Sequence, residues 1–132
     1  MYKVVFPNSA AVGILYDMVG LTAPGILTLR LFVNNVVPTS ATAPGSLIEM
    51  SGRGYAAIDL DPDLWFSVAG KGVAAFYPEQ TWTLAAGSAV TVYGYYVTNA
   101  AGSLRWVRRF EQPVVVPTSE STLPVSLVLE LS

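Results

Sequence analysis

Three aspartates alternate near the middle of the chain, in the sequence Asp59-Leu-Asp61-Pro-Asp63. Carboxylates at alternate positions of a strand share one face and could together hold a hard cation such as Ca²⁺. Such an ion needs about six oxygen ligands, and the glycine and glutamate of a calcium-binding loop do not follow. Asp and Pro are typical turn residues, so a turn is the better interpretation. We predict no metal site here.

Catalysis of the common kinds lacks its usual residues, because the chain contains no histidine and no cysteine. A Ser-His-Asp triad, a thiolate nucleophile, disulfides and Cys-based zinc sites are therefore excluded. The two lysines, Lys3 and Lys71, lie in no catalytic or phosphate-binding motif. A glycosidase-type pair of carboxylates stays open, although no motif indicates one. We expect a protein without catalytic residues and without a cofactor.

One short segment combines arginines with a tryptophan. Its members are Arg105, Trp106, Arg108 and Arg109. Strand alternation predicts Arg105 and Arg109 on one face, and Arg108 on the other with Leu104 and Trp106. Trp and Arg are enriched in interface hot spots, so the segment is a candidate subunit or capsid contact. The alternative is an outward face whose arginines pair with nearby acids. Three arginines make few phosphate contacts, so we expect no nucleic-acid partner.

Three tyrosines lie in the preceding predicted strand. Alternation predicts that Tyr93 and Tyr95 share a face and that Tyr96 takes the opposite one. Exposed aromatic rings can stack on sugars or bases, but such residues more often belong to a core or an interface. We take Tyr93 and Tyr95, together with the arginine segment, as candidate interface residues.

The composition is strongly apolar for a small domain. Hydrophobic residues make up 52% of the chain and charged residues 12%, with a net charge of −2. The charged share is about half the usual one. The excess apolar surface predicts association between subunits, because obligate interfaces resemble a core cut in half. A very apolar β core is the alternative.

Nothing in the sequence predicts a membrane or export segment. No apolar run reaches the roughly 20 residues of a membrane-spanning helix. The apolar N-terminus meets Pro7 and Asn8 too soon for a secretory signal. We therefore expect a soluble protein made in the cytoplasm.

The 132 residues fit one domain spanning 1–132. Apolar residues at helical spacing predict one short helix, capped by Asn8 or Ser9 and ended by Gly20. Short strands separated by turns follow at 26–33, 55–60, 64–68, 73–77, 80–84, 89–98, 103–110, 114–116 and 123–131. The turn residues Asn-Ala-Ala-Gly at 99–102 predict an antiparallel hairpin between 89–98 and 103–110. Alternation in the last strand predicts one apolar face, made of Leu123, Val125, Leu127, Leu129 and Leu131. We predict an all-β fold, a jelly-roll-like β-sandwich of about eight antiparallel strands with that short N-terminal helix; another type of sandwich is equally compatible.

Two stretches carry a resemblance to a known class of proteins. One is Leu-Thr-Leu-Arg-Leu-Phe-Val-Asn-Asn-Val-Val-Pro-Thr at 27–39. The other is Thr-Val-Tyr-Gly-Tyr-Tyr-Val-Thr-Asn at 91–99, running into Leu-Arg-Trp-Val-Arg-Arg-Phe at 104–110. Both resemble small virion proteins of tailed bacteriophages, and the N-terminal helix and alternating C-terminal strand agree in layout.

The resemblance implies a capsid decoration (cement) protein. Such proteins are often jelly-roll-like and commonly trimeric, and they clamp the shell from outside without catalytic residues. Its expected partners are the major capsid protein and further copies of itself, and its expected location is the capsid surface of the virion. A neck, tail or fibre component, including a carbohydrate-binding module, is the alternative.

Overall fold

The computed structural model of the chain describes residues 27–61, residue 64 and residues 74–130. Within these residues the fold is built from six strands and one 3₁₀ turn, Pro44–Ser46. The strands are β1 (Leu27–Phe32), β2 (Ile58–Leu60), β3 (Ala74–Leu84), β4 (Val90–Thr98), β5 (Leu104–Val116) and β6 (Ser121–Glu130). They form a four-stranded sheet in the order β2-β1-β4-β5 and a two-stranded sheet of β3 and β6, antiparallel throughout. The prediction of an all-β fold is confirmed.

The predicted hairpin after Thr98 is the β4–β5 turn. Asn99 organises it, since its Oδ1 accepts hydrogen bonds from the backbone N–H groups of Ala101 (3.0 Å) and Ser103 (2.9 Å). Gly102 completes the turn at a φ of 84°, a conformation that glycine adopts at little cost. The turn chemistry predicted from sequence thus pairs β4 with β5.

Two predicted strand breaks are wrong. Residues 73–77 and 80–84 were expected as separate strands, but β3 continues through Pro78 with a register shift between Tyr77 and Gln80. Likewise β5 continues through Pro113, where 103–110 and 114–116 were expected apart. Proline lacks an N–H donor, so a strand accommodates it at an edge or a bulge, and both prolines lie at a ladder irregularity.

Other differences concern the limits of the elements. The strand predicted at 55–60 is shorter and begins at Ile58. The predicted helix after Asn8 and the strand predicted at 64–68 lie outside the described residues, apart from Leu64.

The two sheets pack together through one main core. The four-stranded sheet supplies Leu29, Leu31, Val92, Tyr95, Val97 and Trp106. The two-stranded sheet supplies Tyr77, Trp82, Leu84, Leu123, Val125 and Leu127. The alternation predicted for β6 is confirmed at Leu123, Val125 and Leu127, which are buried while Ser126 is exposed. Each such buried side chain contributes about 1.5–3 kcal/mol.

A second cluster lies on the opposite face of the four-stranded sheet. Its buried members are Phe32, Leu47, Tyr96, Leu104 and Val107, with Val36 and Tyr93 packed against them. Val36 and Leu47 belong to the irregular residues 35–47, which we call the strap. Among the described residues, it is therefore a loop, the strap, that packs on the outer face of this sheet.

Gly94 decides which β4 side chains face which cluster. The register against β5 shifts between Val92 and Gly94, so Tyr95 joins the main core while Tyr93 packs with the second cluster. A Cβ at position 94 would collide with the Arg108 carbonyl oxygen and lie 2.6 Å from the Phe32 ring. The predicted shared face of Tyr93 and Tyr95 is wrong, because a bulge interrupts the two-residue period.

A second irregularity moves Leu104. Val97 pairs with Trp106 and Thr98 with Leu104, which leaves Arg105 as an extra residue in β5. Leu104 therefore packs in the second cluster while Trp106 enters the main core. The prediction that Leu104 and Trp106 share a face is wrong for this reason.

Candidate interaction surface

Two of the six candidate interface residues are buried inside the chain. Trp106 and Tyr95 each expose 1% of their surface and belong to the main core. Burial raises the pKa of the Tyr95 hydroxyl to about 12, while the nearby Arg108 guanidinium acts in the opposite direction. In this position both rings stabilise the sheets that carry the surface and are not part of the surface itself.

Arg109 and Tyr93 come together on the outer face of the four-stranded sheet. The Arg109 guanidinium carbon lies 5.2 Å from the centre of the Tyr93 ring, within the range of a cation–π contact. Arg109 Nη1 also donates a hydrogen bond to the Val36 carbonyl oxygen at 3.0 Å. These two candidate residues therefore hold the strap against the sheet.

Arg105 and Arg108 complete the candidate set, and both are half-buried. Arg105 is the extra residue of the bulge near the start of β5, whereas Arg108 pairs in register with Tyr95. Cross-strand partners share a face, so Arg108 lies on the opposite side of the sheet from Arg109. The six candidate residues thus form no single surface.

Arg53 has a structural role and is not among the residues predicted from the sequence. Its Nε donates to the Ala85 carbonyl oxygen at 2.6 Å and its Nη2 to that of Ser119 at 2.7 Å. Longer contacts at 3.3 and 3.5 Å join Nη1 to the carbonyls of Ser88 and Val116. One guanidinium therefore ties together the β3–β4 and β5–β6 connections and the end of β5.

The backbone around Arg53 is unusual. Arg53 has a φ of 56°, between Gly52 and Gly54 at 76° and 74°. Non-glycine residues pay about 1 kcal/mol or more for this left-handed conformation. Gly87 lies against the Arg53 side chain, since a Cβ there would be 2.9 Å from Arg53 Cγ. The Gly-Arg-Gly sequence is the one local signal that could have identified this residue.

A polar network fixes the segment that follows the strap. Arg30 Nη1 and Glu49 Oε1 form an ion pair at 2.9 Å. The Tyr55 hydroxyl donates to Glu49 Oε2 at 2.7 Å and accepts the Leu31 N–H at 3.0 Å. Burial raises the pKa of Tyr55 well above its ordinary value, and it also raises the pKa of the neighbouring Tyr96. This network holds Glu49 and Tyr55 against β1 and has a structural role.

Two of the three alternating aspartates lie within the described residues. Asp59 accepts a hydrogen bond from Thr28 Oγ1 at 3.2 Å, and the Asp61 N–H donates to the Tyr77 hydroxyl at 2.8 Å. Asp63 lies outside the described residues. Over the described ranges, no group of three or more carboxylates could hold a metal ion.

The exposed charged side chains among the described residues are acidic: Asp59, Asp61, Glu79, Glu111 and Glu120. Arg30, Arg53 and Arg109 are each engaged by groups of the same chain. Large apolar side chains are exposed as well: Val37 by 58%, Ile48 by 60%, Leu64 by 46% and Val115 by 66%. Burial of these side chains against another protein would remove apolar area from water, which favours association.

Comparisons with known proteins found no match to this chain. No protein-family model matches the chain, and neither a curated protein nor a solved structure does. None of the described residues forms a helix of the length and apolar character needed to cross a membrane.

Proposed function

We propose that this chain is a structural protein of a tailed-bacteriophage particle, a decoration (cement) protein on the outer capsid surface. It would be made in the host cytoplasm and bind the major capsid protein. Copies would also associate with one another, most simply as a trimer. The proposal includes a jelly-roll-like sandwich of about eight strands with an N-terminal helix; the described residues contain six strands.

The observation that carries the proposal is the exposure of large apolar side chains among the described residues, together with arginines that are engaged within the chain. Val37, Ile48 and Val115 each expose more than half of their surface, while three of the five arginines are engaged within the chain. Interface cores are likewise apolar. The resemblance of residues 27–39 and 91–110 to phage virion proteins supplies the class of assembly.

The mechanism would be stabilisation by mass action. A subunit that binds the expanded shell but not the immature one lowers the free energy of the expanded state. At a free concentration of about 100 times Kd, each site gains about 2.7 kcal/mol. Summed over many sites, this gain would oppose bursting of a head that is filled with DNA.

Co-sedimentation with purified heads tests this function. The protein should bind expanded heads, fail to bind unexpanded ones, and raise the temperature at which heads rupture. A Val115→Asp variant should bind more weakly, with Ser126→Asp as a control because Ser126 is also exposed on a strand. Failure of the unmodified protein to bind heads, or its absence from mature particles, would overturn the proposal.

A neck, tail or fibre component is the second candidate. Copy number separates the two, because a cement protein occupies sites over the whole shell and a tail part does not. A carbohydrate-binding module would use Tyr93, since Tyr95 is buried. A glycan array that includes a Tyr93→Ala variant tests that role, with Tyr95→Ala reporting structural damage alone.

A further inference from the structure

We propose that the strap, residues 35–47, is a lid that opens as a unit over the second cluster while both sheets stay folded. The inference is independent of the proposed function. It follows from the hydrogen bonds at the two ends of the strap, from those within the strap, and from the small number of contacts that join the strap to the sheet.

The two ends of the strap meet at one residue. Asn34 Nδ2 donates to the Ser46 carbonyl oxygen at 2.8 Å, and Asn34 Oδ1 accepts the Ile48 N–H at 2.8 Å. Next to these two hydrogen bonds, the Val33 N–H donates to the Ile48 carbonyl oxygen at 2.8 Å. A compact surface loop whose ends are joined can move without altering the strands that carry it.

The hydrogen bonds of the strap are mostly its own. Thr39 and Thr42 bond each other twice, through the Thr42 N–H to the Thr39 carbonyl and the Thr39 N–H to Thr42 Oγ1. The 3₁₀ turn adds a bond from the Leu47 N–H to the Pro44 carbonyl. All of these bonds survive opening, so the strap can move as a preformed unit.

A single hydrogen bond joins the strap to the sheet in the part of the chain that the structure describes. It runs from Arg109 Nη1 to the Val36 carbonyl oxygen at 3.0 Å. The remaining attachment is apolar packing: Val36 and Leu47 lie on the second cluster, and Pro38 is also buried. Segments with few buried contacts open at lower free energy than the whole fold. Arg109 is therefore the latch of the lid.

Opening would change the chemistry of the sheet face. Apart from Val37, the strap presents mainly small or polar residues to solvent, whereas the face beneath carries aromatic and large aliphatic groups. These are Phe32, Tyr93, Tyr96, Leu104 and Val107. Opening of the lid would therefore replace a surface of mostly small residues with an aromatic one.

Thiol labelling tests the lid directly, because the chain has no cysteine and one introduced thiol is unambiguous. A Leu47→Cys variant reports on the strap, and a Val97→Cys variant reports on the main core. In the absence of denaturant, we expect the thiol at position 47 to react with a disulfide reagent at least about tenfold faster than the thiol at position 97. Both rates are first corrected for the global stability of the variant.

The latch is tested in the same assay. Adding Arg109→Ala to the Leu47→Cys variant should speed labelling by about tenfold, as loss of a hydrogen bond from a charged donor predicts. Labelling in the Val97→Cys background should not accelerate beyond the change in global stability. Arg108→Ala is the matched control, because that arginine lies on the opposite face.

Equal corrected labelling rates at positions 47 and 97 would overturn the lid, since both thiols would then be exposed only by global unfolding. Equal effects of Arg109→Ala and Arg108→Ala would overturn the latch. If the Leu47→Cys variant does not fold, Val36→Cys replaces it, because Val36 packs on the same cluster.

Discussion

The main core and the second cluster differ less in burial than in what encloses them. Leu29, Leu31 and Val97 in the main core expose 0%, and Leu47 and Leu104 in the second cluster expose 6% and 5%. The main core is enclosed by two hydrogen-bonded sheets. The second cluster is enclosed on its outer side by the strap, which has one hydrogen bond to the sheet among the described residues.

Similar burial therefore does not imply similar stability. A side chain between two sheets cannot be released without breaking strand ladders, whereas one beneath a strap is released when the strap lifts. The apolar surface of the chain is thus divided between a rigid part and a part that can be uncovered.

The largest expected effect is at Gly94, where the two clusters meet. A Gly94→Ala variant should lose about 3 kcal/mol or more of unfolding free energy, because its Cβ would strike the backbone oxygen of Arg108 and the Phe32 ring. Urea unfolding measures the loss. Gly45→Ala is the control, since a Cβ at position 45 meets nothing within 4 Å. Equal stability of the two variants would show that β4 can shift to make room.

A matched pair of leucines tests the comparison itself. Leu31→Ala should cost about 3 kcal/mol, within the range for a leucine in a closed core. Leu47→Ala should cost about 1 kcal/mol, because the strap can settle into the space that the side chain leaves. Equal losses in urea unfolding would contradict the difference between the two regions.

Substitution of Arg53 is a third test, made where the β3–β4 and β5–β6 connections meet. Arg53→Ala should cost about 2 kcal/mol, because carbonyls bonded to a charged donor lose it. Arg53→Gly should be less harmful than Arg53→Ala, since glycine adopts the φ of 56° without strain. Thermal unfolding of the two variants separates the hydrogen bonds from the backbone strain. An alanine variant as stable as the parent would contradict the role of the guanidinium.

The last expected effect concerns alkaline pH and begins only above pH 10. The folded state raises the pKa of Tyr95 from 10.0 to about 12, so only the unfolded chain ionises this hydroxyl between those values. The folded state then binds more protons, and stability falls by up to about 1.4 kcal/mol per pH unit above pH 10. Below pH 10 this contribution is fully present.

Tyrosine-to-phenylalanine variants assign that pH dependence to a region. Tyr95→Phe, in the main core, should remove more of the slope of stability against pH than Tyr96→Phe, in the second cluster. Ionised Tyr96 can reach water when the strap lifts, whereas ionised Tyr95 cannot. Denaturant unfolding at several pH values from 9 to 12 measures the slopes. A larger change for Tyr96→Phe would reverse the comparison.

Local sequence signals located most of the described strands. The β4–β5 hairpin follows from the turn residues at 99–102, and the buried face of β6 follows from its alternation at Leu123, Val125 and Leu127. The strand breaks at Pro78 and Pro113 were wrong, because local propensity does not reveal whether a proline lies at a ladder irregularity.

The candidate site was less predictable. Trp106 and Arg109 were correctly placed on opposite faces of β5, but Tyr93 and Tyr95 were not separated. Nor could the role of Arg53 be predicted, since its carbonyl partners Ala85 and Ser119 lie 32 and 66 residues further along the chain. No local pattern encodes contacts over such separations.

The amino-acid sequence by itself determined the β class, the absence of histidine and cysteine chemistry, and the low charge of the chain. These properties depend on residue type and on short-range periodicity. Only the tertiary structure decided which side chains enter which cluster and which arginines hold loops in place by hydrogen bonds. A bulge shifts a strand by one residue and so reverses its faces, and neighbouring strands determine where that bulge lies.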